Sequence, residues 1–279
     1  MLRSLVVLAA LAGCARAPVS AKSPASSTKT PAAIGETFTI ESRILGERRV
    51  INVYVPPDYA KSDERFPVLY MPDGGLGEDF PHVVGSVDVS IKNAVIRPLI
   101  VVGVENTERR RDLVAETSVD EEKKVAPHAG GADKFRAFLR DELKPLIAKR
   151  YRVTSESALI GESLAGLFVL ETFLVEPTLF DGYISADPSV WWNEQTLVRG
   201  ANEQLAWWSA GPKQVYIATA DYKETQDAIA TLLTALRLNA PAGVTWTYEP
   251  MPMEHHSTIF PTAALRGIRT LFAAPTPDT

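Results

Sequence analysis

From residue 36 onward the apolar positions fall into short buried runs and longer helical stripes. "TFTIESRIL" and "RRVINVYVPPDY" predict two strands joined by a turn at Gly46 and Glu47. "FPVLYMPDGG" and "RPLIVVGVEN" are continuous apolar runs ending in turn residues, the pattern of strands buried on both faces. In "GADKFRAFLRDELKPLIAKRY", Phe135, Phe138, Leu139, Leu143, Leu146 and Ile147 lie at helical spacing, with Pro145 placed to kink the helix. "ESALIGES" predicts a strand, "LAGLFVLETFLVEP" a buried helix, and "FDGYISADPS" a strand. "LVRGANEQLAWWSA" follows as a helix and "KQVYIATAD" as a strand. "ETQDAIATLLTALRLNA" (helix), "GVTWTYEPMP" (strand) and "TAALRGIRTLFAA" (helix) close the chain.

After an opening antiparallel pair, strands alternate with helices. That order implies about eight strands in a mostly parallel sheet with helices on both faces, in one domain over residues 36–275. The polar stretch 108–131, "ERRRDLVAETSVDEEKKVAPHAGG", exceeds an ordinary connection and implies a functional or surface excursion.

The chemistry concentrates at "SALIGESLAGLFVLETFL", residues 157–174. Here a strand meets a helix at Ser163, in the order Gly161, Glu162, Ser163, Leu164, Ala165. A G-x-S-x-G elbow holds its serine hydroxyl out at the carboxyl edge of the sheet, beside the amides at a helix N-terminus. Small flanking residues let strand and helix backbones approach. Ala165 adds one methyl where glycine is usual, which negative φ would accommodate, and Gly166 follows. Partners should follow in the order serine, acid, histidine. His82 and His128 precede Ser163, whereas His255 and His256 lie between the last strand and the last helix. Asp221 ends a later strand, with Glu224 three residues on, so either is placed to be the acid.

These segments resemble the α/β-hydrolase esterases related to enterobactin esterase and esterase D. The resemblance rests on "GGADKFRAFLRDELKPLIAKRY", "GESLAGLFVLETFL", "PTLFDGYISADPSVWWNE", "EHHSTIFPTAALRGIRTLF" and "VVGVENTERRRDL", which span most of residues 40–273. It implies an α/β-hydrolase fold and a serine carboxylic-ester hydrolase working through an acyl-enzyme on Ser163. The family's pattern of Glu, any residue, His, small residue, Ser or Thr falls on Glu254 to Thr258, placing the base at His256, with His255 the alternative. The acid falls on Asp221 or nearby Glu224. The chain departs from the family's common pattern at Ala165 and at Asp187-Pro188-Ser189, where Ser-Pro-Ser is frequent. The oxyanion hole should draw on the amides of Leu164 and of Gly74 or Gly75. Trp191 and Trp192 are candidates for an aromatic substrate wall, and Arg110 for contact with an acidic group. The same triad would serve an acyltransferase, and a hydrolase scaffold without turnover would serve as a ligand-binding lipoprotein.

Charge and composition narrow the partners. A net charge of −5 argues against nucleic acid. No phosphate loop, dinucleotide motif or metal-ligand spacing is present, so neither cofactor nor metal is expected, and the implied partner is a small-molecule ester. Siderophore trilactones are among the family's substrates, but only the Arg109–Arg111 run could meet an anionic ligand. Residues 1–14, "MLRSLVVLAALAGC", carry Arg3, a short apolar run and a lipobox-like ending at Cys14. They predict an export signal with Cys14 lipidated. Residues 15–35, rich in Ala, Pro, Ser and Thr, predict a flexible tether, so the membrane is met only through that anchor. Cys14 is the single cysteine, which leaves no internal disulfide and no thiol nucleophile.

Overall fold

The computed structural model describes residues 33–208 and 211–275; the signal segment, Cys14 and nearly all of the tether lie outside them. Eight strands form one sheet in the order β1-β2-β4-β3-β5-β6-β7-β8. β1 (Glu36–Ser42), β2 (Glu47–Tyr54) and β4 (Ile100–Val104) pair antiparallel. From β4 the sheet runs parallel through β3 (Phe66–Met71), β5 (Val153–Glu162), β6 (Gly182–Ala186), β7 (Lys213–Thr219) and β8 (Val244–Pro250). β3, β4 and β6 are buried at every position, which is why their sequences are apolar without alternation.

Helices cover both faces. α1 (Phe80–Lys92) and α9 (Ile259–Leu271) pack on one side, through Phe80, Val84, Val87, Ile259, Ala263 and Ile268. The other side carries α4 (Ala132–Phe138), α5 (Lys144–Arg150), α6 (Leu164–Val175), α7 (Trp192–Ala206) and α8 (Lys223–Asn239). The fold therefore agrees with the expected architecture. α6 is buried along nearly its whole length and has no polar face, as a helix enclosed by its neighbours should be.

Three local features depart from the sequence pattern. α1 was not signalled, because Val83, Val84, Val87, Val89 and Ile91 with Gly85 and Ser86 are poor helix formers; burial of Val83, Val84 and Val87 overrides propensity. Upstream of Pro145 the helix widens into a π-type turn, Leu139–Leu143, where the missing proline N–H would otherwise break the ladder. α7 starts earlier than expected, at Trp192, through a left-handed turn at Asn193, Glu194 and Gln195 (φ 47°, 53° and 64°).

The 108–131 excursion contains α2 (Arg109–Asp112) and α3 (Asp120–Val125) and is pinned at both ends. Fully buried Arg49 binds Asp112 at 2.5 Å and Thr107 at 2.8 Å, and lies over the Phe135 ring. At the far side, the Asn193 N–H donates to Glu122, the Ser118 N–H donates to the Asn193 side chain, and Trp192 Nε1 donates to the Ala115 carbonyl. The excursion thus forms a fixed wall along the carboxyl edge of the sheet, where β5 ends.

Candidate active site

β5 delivers the chain to Ser163 and α6 carries it away, so the backbone must reverse within one residue. Ser163 takes φ 59° and ψ −120°, a conformation that costs a non-glycine residue of order 1–3 kcal/mol and occurs where surrounding structure enforces it. The flanking residues show how. A Cβ on Gly161 would stand 2.6 Å from the Ala165 carbonyl carbon and 2.7 Å from the Ala165 Cβ. A Cβ on Gly166 would stand 2.9 Å from the Ala186 carbonyl oxygen. Ala165 itself sits in regular helix, fully buried, with φ negative. Its methyl fits because Gly161 faces it, and the close approach to β6 falls on Gly166 instead.

His256 Nε2 lies 3.1 Å from Ser163 Oγ, and His256 Nδ1 lies 2.6 Å from Asp187 Oδ2. With Nδ1–H donating to the carboxylate, Nε2 is left to accept the Ser163 proton. His256 stands in the loop between β8 and α9, which Glu254 organises by accepting from the hydroxyls of Thr258 and Thr262. His255 takes no part: it caps the start of α9 through its backbone and is exposed.

The acid is a correction to the sequence reading. Asp221 and Glu224 are both exposed and neither carboxylate meets His256. Asp221 instead supports the histidine loop through its backbone, its N–H donating to the Glu254 carbonyl at 3.0 Å. Asp187, 2% exposed and one strand nearer the elbow, takes the place expected of it. The Ala220 N–H donates to Asp187 Oδ1 at 3.0 Å, which leaves Oδ2 aimed at the imidazole. Ser189, two residues on, places its Oγ 3.2 Å from Ser163 Oγ.

The expected oxyanion donors divide. Leu164 opens α6, so its N–H has no intrahelical acceptor. Gly74 is excluded, because its N–H donates to the Val104 carbonyl at 2.9 Å. The Gly75 N–H binds an anion already, donating to Glu78 Oε2 at 2.7 Å.

A serine, carboxylate and histidine in this chain order, with the serine on a strained strand-to-helix turn of a mostly parallel eight-stranded sheet, agree with the family comparisons. Residues 42–234 match the model of the Esterase family ("Putative esterase"). The chain belongs to the Esterase family. Among its relatives, the ferri-bacillibactin esterase BesA of Bacillus subtilis is 24% identical over 275 residues, covering 86% of this chain and 93% of BesA. The siderophore enterobactin esterase of Emericella nidulans is 37% identical over 80 residues, 28% of this chain and 26% of that protein. The structure of an IroE-like serine hydrolase from Shewanella oneidensis superposes with a TM-score of 0.79 at 26% identity, covering 85% of this chain and 80% of that one. The α/β-hydrolase fold and a serine esterase, a carboxylic-ester hydrolase, follow.

In this esterase the surroundings of Ser163 are acidic. The hydrogen bond to Asp187 raises the affinity of His256 for a proton, and the nearby Glu162 charge adds to it. Burial pushes the Glu162 carboxyl up to about 7, and the neighbouring charges of Asp79 and Asp187 act in the same direction against the pull of His256 and Arg109. Asp79 is also raised, mainly by burial and then by Asp73. Arg109 grips Asp73 with two bonds of 2.7 Å and reaches the Glu162 carbonyl at 3.2 Å.

The remaining sequence candidates separate on exposure and partners. Arg110 turns to the Val125 carbonyl within the excursion, so Arg109 is the guanidinium that reaches the elbow. Trp192, 5% exposed, anchors the wall through Ala115, whereas Trp191 is 43% exposed beside it and remains available to a ligand. Ser189 and Glu162 were missed as site residues. The Asp-Pro-Ser departure from the family's common pattern was the available signal for Asp187 and Ser189, and the elbow position itself for Glu162.

Proposed function

We propose that the chain is an exported serine hydrolase of small-molecule carboxylic esters, with Ser163 as nucleophile, His256 as general base and acid, and Asp187 as the carboxylate partner. The observation that carries this reading is the relay of 3.1 Å from Ser163 Oγ to His256 Nε2 and 2.6 Å from His256 Nδ1 to Asp187 Oδ2. Ser163 Oγ attacks the ester carbonyl as His256 takes its proton. The imidazolium returns that proton to the leaving alcohol as the tetrahedral intermediate collapses to an acyl-enzyme. Water repeats the sequence and releases the acid. The Leu164 amide stabilises the oxyanion, and the Gly75 amide joins it when Glu78 yields its place to the developing alkoxide. One such donor is typically worth roughly 3 kcal/mol.

BesA is named for ferri-bacillibactin and the Emericella nidulans protein for the siderophore enterobactin, which supports a small-molecule ester as the substrate class. Export rests on Arg3, the apolar run and Cys14, followed by the Ala-, Pro- and Ser-rich tether. The test is labelling with a fluorophosphonate probe alongside hydrolysis of p-nitrophenyl esters. Wild type should label and turn over, and folded Ser163→Ala should do neither; turnover retained by that variant refutes the proposal. Lipidation is checked by metabolic labelling with palmitate, which Cys14→Ser should abolish.

A further inference from the structure

The environment of the nucleophile carries information about the charge of the substrate. Three consecutive arginines, Arg109 to Arg111, are the natural candidates for holding an anionic ligand near the elbow. Each already has a partner, although Arg110 is exposed and all three line an open cavity with Val125 and His128. Arg109 is paired with Asp73 through both of its 2.7 Å bonds. Arg110 donates to the Val125 carbonyl, and Arg111 is paired with Glu47 and Asp112 at 2.7 Å each. The carboxylate of Glu162, next to the nucleophile in sequence, has the opposite character. It is half-buried and has no hydrogen-bond or ion-pair partner among the described residues. Asp79, ahead of α1, adds a second such carboxylate near it.

We infer that this site selects esters that are neutral or cationic near the scissile bond and discriminates against anionic ones, with Glu162 as the specificity-determining residue. Iron-loaded catechol trilactones are anions and fall in the disfavoured class. The inference rests on the assignment of Ser163 and His256 above. A unit charge brought within about 7 Å of Glu162, at an effective dielectric constant between about 20 and 80, changes kcat/KM by roughly threefold to fiftyfold. The groups facing Glu162 are His256 from the β8–α9 loop, Asp187 at the end of β6, Asp79 ahead of α1 and Arg109 in α2. Because Glu162 titrates at about 7, discrimination grows as pH rises from about 6 to about 8. His256 loses its positive charge in the same direction and adds to the trend; replacement of Glu162 isolates the Glu162 share.

The experiment uses matched p-nitrophenyl esters: the butyrate, the hemisuccinate and the 4-(trimethylammonio)butyrate. The ratio of kcat/KM between esters cancels any common effect on the catalytic step. At pH 8 the anionic ester should be at least about fivefold poorer than the neutral one, and the cationic ester at least equal to it. Glu162→Gln should reduce the anionic penalty at least about threefold and flatten its pH dependence. Equal rates on all three esters, or a ratio unchanged in Glu162→Gln, overturns the charge selection while leaving the hydrolase intact. Absence of turnover on every ester, with Ser163 unlabelled by fluorophosphonate, overturns the hydrolase reading beneath it.

Discussion

Replacing Asp187 by Asn separates the relay seen in the structure from the one expected at Asp221. Asp187 is buried and bonds His256 Nδ1 at 2.6 Å, while its other oxygen accepts from the Ala220 N–H. Asparagine keeps the size and the Ala220 acceptor, and tolerates the left-handed backbone here (φ 37°), so the fold should survive. Two effects then act on catalysis. The charge-assisted bond to the imidazolium is lost, worth about 1.5–3 kcal/mol. The amide NH2 can also donate to Nδ1, favouring the tautomer that cannot accept the Ser163 proton. In the Ser-His-Asp template the same change costs about 10⁴ in kcat, or about 5.4 kcal/mol. The His256 side chain is 56% exposed, so water can solvate the imidazolium in part and the loss here should be smaller. A fall of about 10²–10³ in kcat/KM is expected, about 2.7–4 kcal/mol. The assay is steady-state hydrolysis of p-nitrophenyl butyrate from pH 5 to 9, with circular dichroism to verify folding. Asp187 holds the His256 pKa above its ordinary value, and the base acts when neutral. The acid limb of kcat/KM should therefore move to lower pH in Asp187→Asn. Asp221→Asn should stay within about threefold of wild type, since its carboxylate is exposed and unengaged with His256. Loss of activity in Asp221→Asn with at least a tenth retained in Asp187→Asn would refute the reasoning.

Gly161→Ala should abolish soluble expression or lower the melting temperature steeply, and Ala165→Gly should fail to rescue it, because the added Cβ also meets the Ala165 carbonyl carbon and oxygen at 2.6 Å; thermal melts of the single and double variants decide. Ser163→Gly should be inactive yet at least as stable as wild type, since relief of φ 59° offsets the added chain entropy of glycine, roughly 0.5–1 kcal/mol; a clear loss of stability in urea unfolding would contradict the strain argument. Glu162, whose pKa is raised from 4.5 to about 7 on folding, binds more protons folded than unfolded between those values. Its contribution to stability is therefore present below about pH 4.5 and falls as pH rises through about 7. Glu162→Gln should flatten that decline by about 1–2 kcal/mol after allowance for partial solvent screening, measurable as the pH dependence of urea unfolding.

The fold was legible because its central strands are buried on both faces. A run such as "LIVVGV" has few alternatives to a central parallel strand, and the βα order dictates which edge holds the turns. The nucleophile was legible for a related reason: Gly161, Ser163 and Gly166 mark a place where two backbones nearly touch, and steric demand leaves a compositional trace. α1 left no such trace, since its valines read equally well as strand until tertiary burial is known. The amides of Gly74 and Gly75 were equally opaque. Both sit in one turn after β3, and only the hydrogen-bond partners, Val104 for one and Glu78 for the other, distinguish them.

The acid was misplaced for a topological reason. β6 and β7 are adjacent and parallel, in register at Ala186 and Ala218, so their carboxyl ends stand level beside the histidine loop. Asp187 leaves β6 one residue past that pair, and Asp221 leaves β7 three residues past it. Either aspartate follows its strand at the sheet edge beside the histidine loop, and chain order cannot choose, since both follow Ser163 and precede His256. The choice is made by short-range geometry. The left-handed backbone at Asp187 turns its side chain under the loop, where the Ala220 N–H fixes it. At Asp221 the backbone N–H holds the loop through the Glu254 carbonyl, and the side chain stays in solvent. β7 thus supplies the backbone support and β6 the charge. A carboxylate introduced at the end of β7 could serve His256 only after Asp187 had been removed. The double variant Asp187→Ser, Ala220→Asp tests this. It should regain part of the activity lost in Asp187→Ser alone, and no recovery would mean that the β6 backbone, rather than the position of the charge, sets the relay.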